Sequence, residues 1–196
     1  MLPHVEAPPS VVLEARAEIA ENELRIHYRL RNEGPGPIYV WDRIITHDDE
    51  GPKHDDELAY VCWQAPATAR VARALLRLPT EFQVGKKSEP FVRKVEADGA
   101  IEGDVVLPLP LREFNPYYPD ATRTEAVECD EVQLLIGWIE IRDDMKALPR
   151  KVRGEPFTVL AGSWSPPHQR LARATLKCRT TLLKNLDGFD RRPPLE

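Results

Sequence analysis

The sequence lacks any apolar run near the ~18 residues that a membrane-crossing helix needs. Its first residues, Met1-Leu2-Pro3-His4-Val5-Glu6, have neither the basic start nor the apolar stretch of a secretory signal. These absences lead to the expectation of no membrane span and a cytoplasmic location, or a periplasmic or exported one if a leader was removed. Cysteine is scarce: Cys62, Cys129 and Cys178 are the whole set. An odd trio is no disulfide framework, although one bridge with a spare thiol is compatible with it. No Cys-x-x-Cys, His-Glu-x-x-His or P-loop occurs, and Gly34-Pro35-Gly36 is too short and too proline-bound to cradle a phosphate. The net charge of −5 and the absence of aromatics interleaved with basic residues exclude a dedicated nucleic-acid surface.

What the chain does have is proline and alternation. Nineteen prolines in 196 residues break it into many short elements and leave little room for long helices. Across 11–19 the apolar residues are Val11, Leu13, Ala15, Ala17 and Ile19, with Glu14, Arg16 and Glu18 between them. Across 24–30 they are Leu24, Ile26, Tyr28 and Leu30, with Arg25, His27 and Arg29 between. A period of two means one buried and one wet face, so both runs predict half-buried strands, joined by a tight turn over 20–23.

The same reading extends along the chain. Short strands are predicted at 38–41, 59–63, 90–96, 101–109, 132–141, 157–160 and 169–183. The segment 69–78 fits a helical face as well as a strand face; its strand-like neighbours make it a strand. Segment 132–141 is apolar on both faces, as a central, doubly covered strand must be. Segments 42–57, 111–130 and 143–155 are expected to be loops or charged connections. The fold expected is all-β: a mainly antiparallel β-sandwich with long loops, one domain over 1–185 and a loose tail over 186–196.

The stretch Leu24-Arg25-Ile26-His27-Tyr28-Arg29-Leu30-Arg31-Asn32, then Gly34-Pro35-Gly36-Pro37, then Ile38-Tyr39-Val40-Trp41, resembles immunoglobulin- or fibronectin-III-like domains of bacterial proteins. In these an alternating strand ends at Asn, turns through Gly or Pro, and restarts as a short apolar strand. The resemblance covers under a tenth of the chain, and there is no Cys…Trp…Cys pattern at antibody spacing. It implies a domain that binds, presents or bridges, because a fold alone does not fix a function.

Charge is unevenly spread. Residues 142–196 hold 12 Lys/Arg against 6 Asp/Glu, whereas 1–141 hold 15 against 26. The two halves can pair with each other, and the basic part can also meet an anion or an acidic partner.

Two loops stand out. The first holds His47-Asp48-Asp49-Glu50 and His54-Asp55-Asp56-Glu57 with Gly51-Pro52 between. Carboxylates suit a hard divalent cation, and two histidines with a carboxylate suit zinc or iron. The candidate ligands are His47, Asp49, His54 and Asp56. The same acidic run reads equally as a solvated loop. The second loop holds Phe114-Asn115-Pro116-Tyr117-Tyr118-Pro119. Phe114, Tyr117 and Tyr118 are either contact residues on a proline-stiffened loop or a lid on the core. Gly162-Ser163-Trp164-Ser165-Pro166-Pro167-His168 lacks the glycine flanks of a nucleophile elbow, and no catalytic set is assigned.

The function expected is a non-catalytic binding module that meets an unknown protein or small ligand through 42–57 and 111–130. The alternative is a metal-dependent hydrolase with its ligands on the first loop. Sheet edges also allow a homodimer.

Overall fold

The computed structural model describes residues 10–49, 51–55, 57–76, 91–114, 123–162 and 169–186. The 1–9 and 187–196 ends lie outside that set, as do Asp56, Tyr117, Tyr118 and the 163–168 segment. Among the described residues there is no helix, so none is long and apolar enough to cross a membrane.

Strand β1 (Val11–Ala20) and strand β2 (Glu23–Asn32) form the predicted hairpin, in register from Val11 opposite Asn32 to Ala20 opposite Glu23. The two-residue turn needs a left-handed backbone, and Glu21 supplies it with φ of 54°. Alternation works as the sequence requires. Leu24, Ile26, Tyr28 and Leu30 are buried, and the charged residues between them face outward. Full burial of side chains such as Leu24 and Ile26 contributes about 2 kcal/mol each. Strand β9 (Ala100–Pro108) pairs with the far edge of β2 and completes a three-stranded antiparallel sheet.

The larger sheet has nine strands. Its axis is β11 (Thr124–Glu140), which pairs antiparallel with β14 (Arg170–Asn185). The other edge of β11 is shared by two strands. Strand β7 (Thr68–Arg73) runs parallel to it over Glu131–Ile136, and β3 (Ile38–Trp41) runs antiparallel over Gly137–Glu140. Strand β6 (Tyr60–Gln64) pairs with β7, and β10 (Leu111–Arg112) adds a short parallel pairing to β14. Beyond β3 come β8 (Phe91–Val95), β13 (Glu155–Gly162) and β12 (Met145–Val152). The register of β11 shifts between Cys129 and Glu131. The extra residue, Asp130, gives its N–H to Ala67 O at 2.9 Å, so this bulge fastens the β6–β7 turn.

One core lies between the two sheets. Leu13, Leu24, Ile26 and Leu30 of the small sheet pack in the same cluster as Val71, Val132, Leu134 and Ile136 of the large one. Leu135 and Ile139 of β11 point the other way, into two smaller clusters. The predicted double coverage of 132–141 is thus present, and 69–78 is a strand where it is described.

Three expectations need correction. Segment 42–57 is not an unstructured loop: β4 (Ile44–Asp48) and β5 (Gly51–Asp55) form a hairpin that is a two-stranded sheet of its own. Segment 143–155 is strand β12 and its turn, paired along its whole length with β13. The long loop expected over 111–130 is interrupted by β10 and ends early, because β11 begins at Thr124.

Candidate functional site

The free edge of β9 collects the polar chemistry of the molecule. An edge strand presents unpaired carbonyls and N–H groups, which must be covered. Two guanidinium groups from the large sheet do this. Arg73, at the end of β7, is 1% exposed. Its Nη2 donates to Asp104 O at 2.7 Å, its Nη1 to Asp42 O at 3.0 Å and to the Tyr28 hydroxyl at 3.2 Å, and its Nε to Leu58 O at 2.9 Å. Arg93 of β8 donates to Glu102 O at 3.3 Å and pairs with the buried carboxylate of Asp42. Val106 N–H is taken by Glu57 O at 3.0 Å. Every contact but two (the Tyr28 hydroxyl and the Asp42 carboxylate) ends on main chain.

Tyr28 reaches this cluster by lying across β9. Gly103 stands directly opposite it in the register. A Cβ at that position would overlap the Tyr28 hydroxyl and ring, so glycine is required by close approach and not by backbone twist. Burial pushes the phenol of Tyr28 above its ordinary value, while the Arg73 charge pulls it down and the Asp42 carboxylate pushes it up.

The cluster opens into a cleft of about 230 Å³, with Arg43, Glu57, Arg93 and Glu102 in its walls. Next to it, the outer face of the small sheet forms a shallow depression of about 440 Å³. Its walls are two cross-strand rows, Glu14–Arg29–Glu102 and Arg16–His27–Asp104, set by the register of β1, β2 and β9. His27 lies on this polar face, as its place in the alternation predicts, and its Nδ1 pairs with the Asp104 carboxylate.

The proposed metal ligands sit on the β4–β5 hairpin. The register sets His47 opposite Pro52 and His54 opposite Ile45. Asp49 is exposed at the turn, and Asp56 is outside the described residues. Among the described residues no group of three or more His, Cys, Asp or Glu side chains could hold a metal ion. Phe114 is half-buried. It is fixed to the large sheet by paired main-chain bonds with Val61, at 2.9 and 3.2 Å, and its ring stacks on Tyr60 with centroids 6.0 Å apart. Tyr117, Tyr118 and the Ser163–His168 candidates lie outside the described residues. All three cysteines are free: Cys62 and Cys129 are buried and Cys178 is half-buried.

Sequence reasoning missed the Tyr28–Arg73–Asp42–Arg93 cluster. One signal for it exists. Arg73 continues the face of Ala69 and Val71, both fully buried, so its position is an inward one. A charge at an inward strand position needs partners.

Comparison with protein-family models, with curated proteins and with solved structures gives no match. What is shown is an all-β chain of mixed sheets.

Proposed function

We propose that this chain is a non-catalytic interaction module on an immunoglobulin-like sandwich of the kind found in bacterial proteins, meeting its partner through the 42–57 hairpin. The observation that carries this reading is the hairpin's independence. It bonds to neither sheet through its own strands, yet it is anchored at its base. Asp42 is buried against Arg93, and the Asp55 carboxylate accepts the N–H groups of Glu57 and Leu58 at 3.0 and 2.6 Å. A stiff base with a projecting acidic tip is how rigid scaffolds present contact residues. The polar cluster beside it favours a scaffold role, since Arg73 spends its donors on carbonyls and a phenol within the fold. The second contact surface is the 111–130 segment with Phe114, Tyr117 and Tyr118.

The test replaces residues 46–53 by Asn-Gly and, separately, Asp49 by Arg. Both variants keep the fold by circular dichroism. Both lose whatever protein co-purifies with the native chain, whereas Arg25→Gln keeps it. Retention of the partner by both hairpin variants overturns the reading.

The register favours one other reading. Positions 47 and 54 are diagonal neighbours on one face of the hairpin, a separation of about 7 Å that one cation can bridge. With Asp49 and Asp56 they would make a divalent-cation site, and a metal-dependent hydrolase is the activity it would serve. Stoichiometric zinc or iron in purified protein supports this. No change in melting temperature at millimolar metal removes it.

A further inference from the structure

Two strands of this molecule carry cations at every second or fourth position, and their surroundings differ. On β2, Arg25, His27, Arg29 and Arg31 each meet a carboxylate: Glu23 at 3.8 Å, Asp104, Glu102 at 3.6 Å, and Glu14 at 3.3 Å with Glu33 at 3.2 Å. That stripe is neutralised within its own sheet. On β14, Arg173, Lys177 and Arg179 are exposed along the outer face of the large sheet, with Thr175 exposed between the first two. Their cross-strand neighbours on β11 are less acidic. Arg173 stands opposite Leu135, Thr175 opposite Gln133, and Lys177 opposite Glu131. Arg179 reaches Glu128 only at 3.9 Å, with both side chains mostly in solvent. Arg70 of β7 adds a further cation across β11, bonded to Gln133.

We infer that this β14 stripe is a second interaction surface, and that it takes an acidic peptide in extended conformation. Alternate residues of a strand are about 6.7 Å apart, and an extended peptide has the same repeat. Carboxylates at every second position of such a peptide therefore fall in step with Arg173, Lys177 and Arg179, and a hydroxyl of Thr175 faces the gap. Charge complementarity selects an acidic chain. No aromatic side chain stands between the cations on β14 to stack on bases, which argues against a nucleic acid. In strand order the stripe is at the opposite end of the large sheet from β12, the strand near which β5 lies, so it stands apart from the hairpin surface.

The experiment measures fluorescence anisotropy of a labelled alternating Glu-Ser peptide of about twelve residues, long enough to span the stripe. The expected result is binding that weakens with salt, because exposed charges are screened over about 8 Å at physiological ionic strength. The Arg173→Gln, Lys177→Gln, Arg179→Gln triple variant raises Kd by about tenfold or more. An Arg25→Gln, Arg29→Gln variant in the neutralised stripe stays within about twofold. Should the triple variant lose its fold by circular dichroism, each single substitution gives a graded loss in its place. Absence of binding at low salt, or an equal Kd for the β14 and β2 variants, overturns the inference. Tighter binding of single-stranded DNA of the same charge overturns the peptide as occupant.

Discussion

Tyr28 crosses β9 at Gly103 and donates its ring to the interior while its hydroxyl accepts a hydrogen bond from Arg73 Nη1 at 3.2 Å. The two-residue opposition is what lets a residue of the small sheet bond to the end of β7 in the large one. Sheet-to-sheet cohesion at this edge rests on that missing side chain.

Gly103→Ala therefore pushes against a buried ring held in place by its own hydrogen bond. Overpacking of this kind costs about 1–3 kcal/mol. Chemical denaturation should show that loss. Combining Gly103→Ala with Tyr28→Ala should cost less than the sum of the two single changes, because the pair is in direct contact. Strict additivity would place the strain elsewhere.

Arg73 is the hub of the same edge. Arg73→Met keeps the aliphatic stem but leaves the carbonyls of Leu58, Asp42 and Asp104 without this donor. Removing a buried, fully bonded charge partner costs about 3–5 kcal/mol. Arg73→Lys recovers only part of that, since one ammonium cannot fork to three carbonyls. The urea midpoints should rank native, then Lys, then Met.

Asn32 does for the other end of β2 what Arg73 does for the β9 edge. It is 1% exposed, its Nδ2 donates to Gly36 O at 2.9 Å and to Glu96 O at 3.0 Å, and its Oδ1 accepts Gly34 N–H at 3.1 Å. It ties the 33–37 turn to the β8–β9 corner. Asn32→Ala strands three main-chain groups and should lower stability by about 2–4 kcal/mol. Asn32→Asp should be worse near neutral pH, where a carboxylate faces two carbonyl oxygens. Thermal melts of the two variants at neutral and acidic pH check the order.

The sequence made the half-buried strands readable and hid the others. Strands β1, β2 and β14 announce themselves because each has one buried and one wet face. Strand β12 does not: its exposed residues are Lys146, Ala147, Pro149, Arg150 and Lys151, with too little burial to impose a period of two. It is an edge strand held by its pairing to β13, and Pro149 with the lysines suits an edge. The β4–β5 hairpin and the 124–130 start of β11 were hidden for the same reason. Asp42 and Glu57 were inside a segment singled out for its acidity, yet their part in the cleft depends on where β8 and β9 pass. Arg73 could be suspected from its place after Ala69 and Val71. Its acceptors could not, because main-chain carbonyls leave no mark in a sequence.

The buried phenol gives the fold a sensitivity to alkali with a definite sign. Burial raises the Tyr28 pKa in the folded state, so the native chain holds this proton more tightly than the unfolded one. Stability is then unaffected by this group below the ordinary tyrosine value of about 10, and falls as pH rises through the folded value. The thiols of Cys129 and Cys178 are also raised, chiefly by burial, and lose stability in the same direction from the ordinary thiol range upward. Tyr28→Phe removes one contribution and leaves the other two. It should cost stability at neutral pH through the lost bond to Arg73, about 1 kcal/mol, yet show a shallower decline above about pH 10. Urea midpoints measured from neutral to strongly alkaline pH distinguish the slopes. Parallel decline in native and Tyr28→Phe protein would mean that this phenol ionises as freely in the fold as in the unfolded chain.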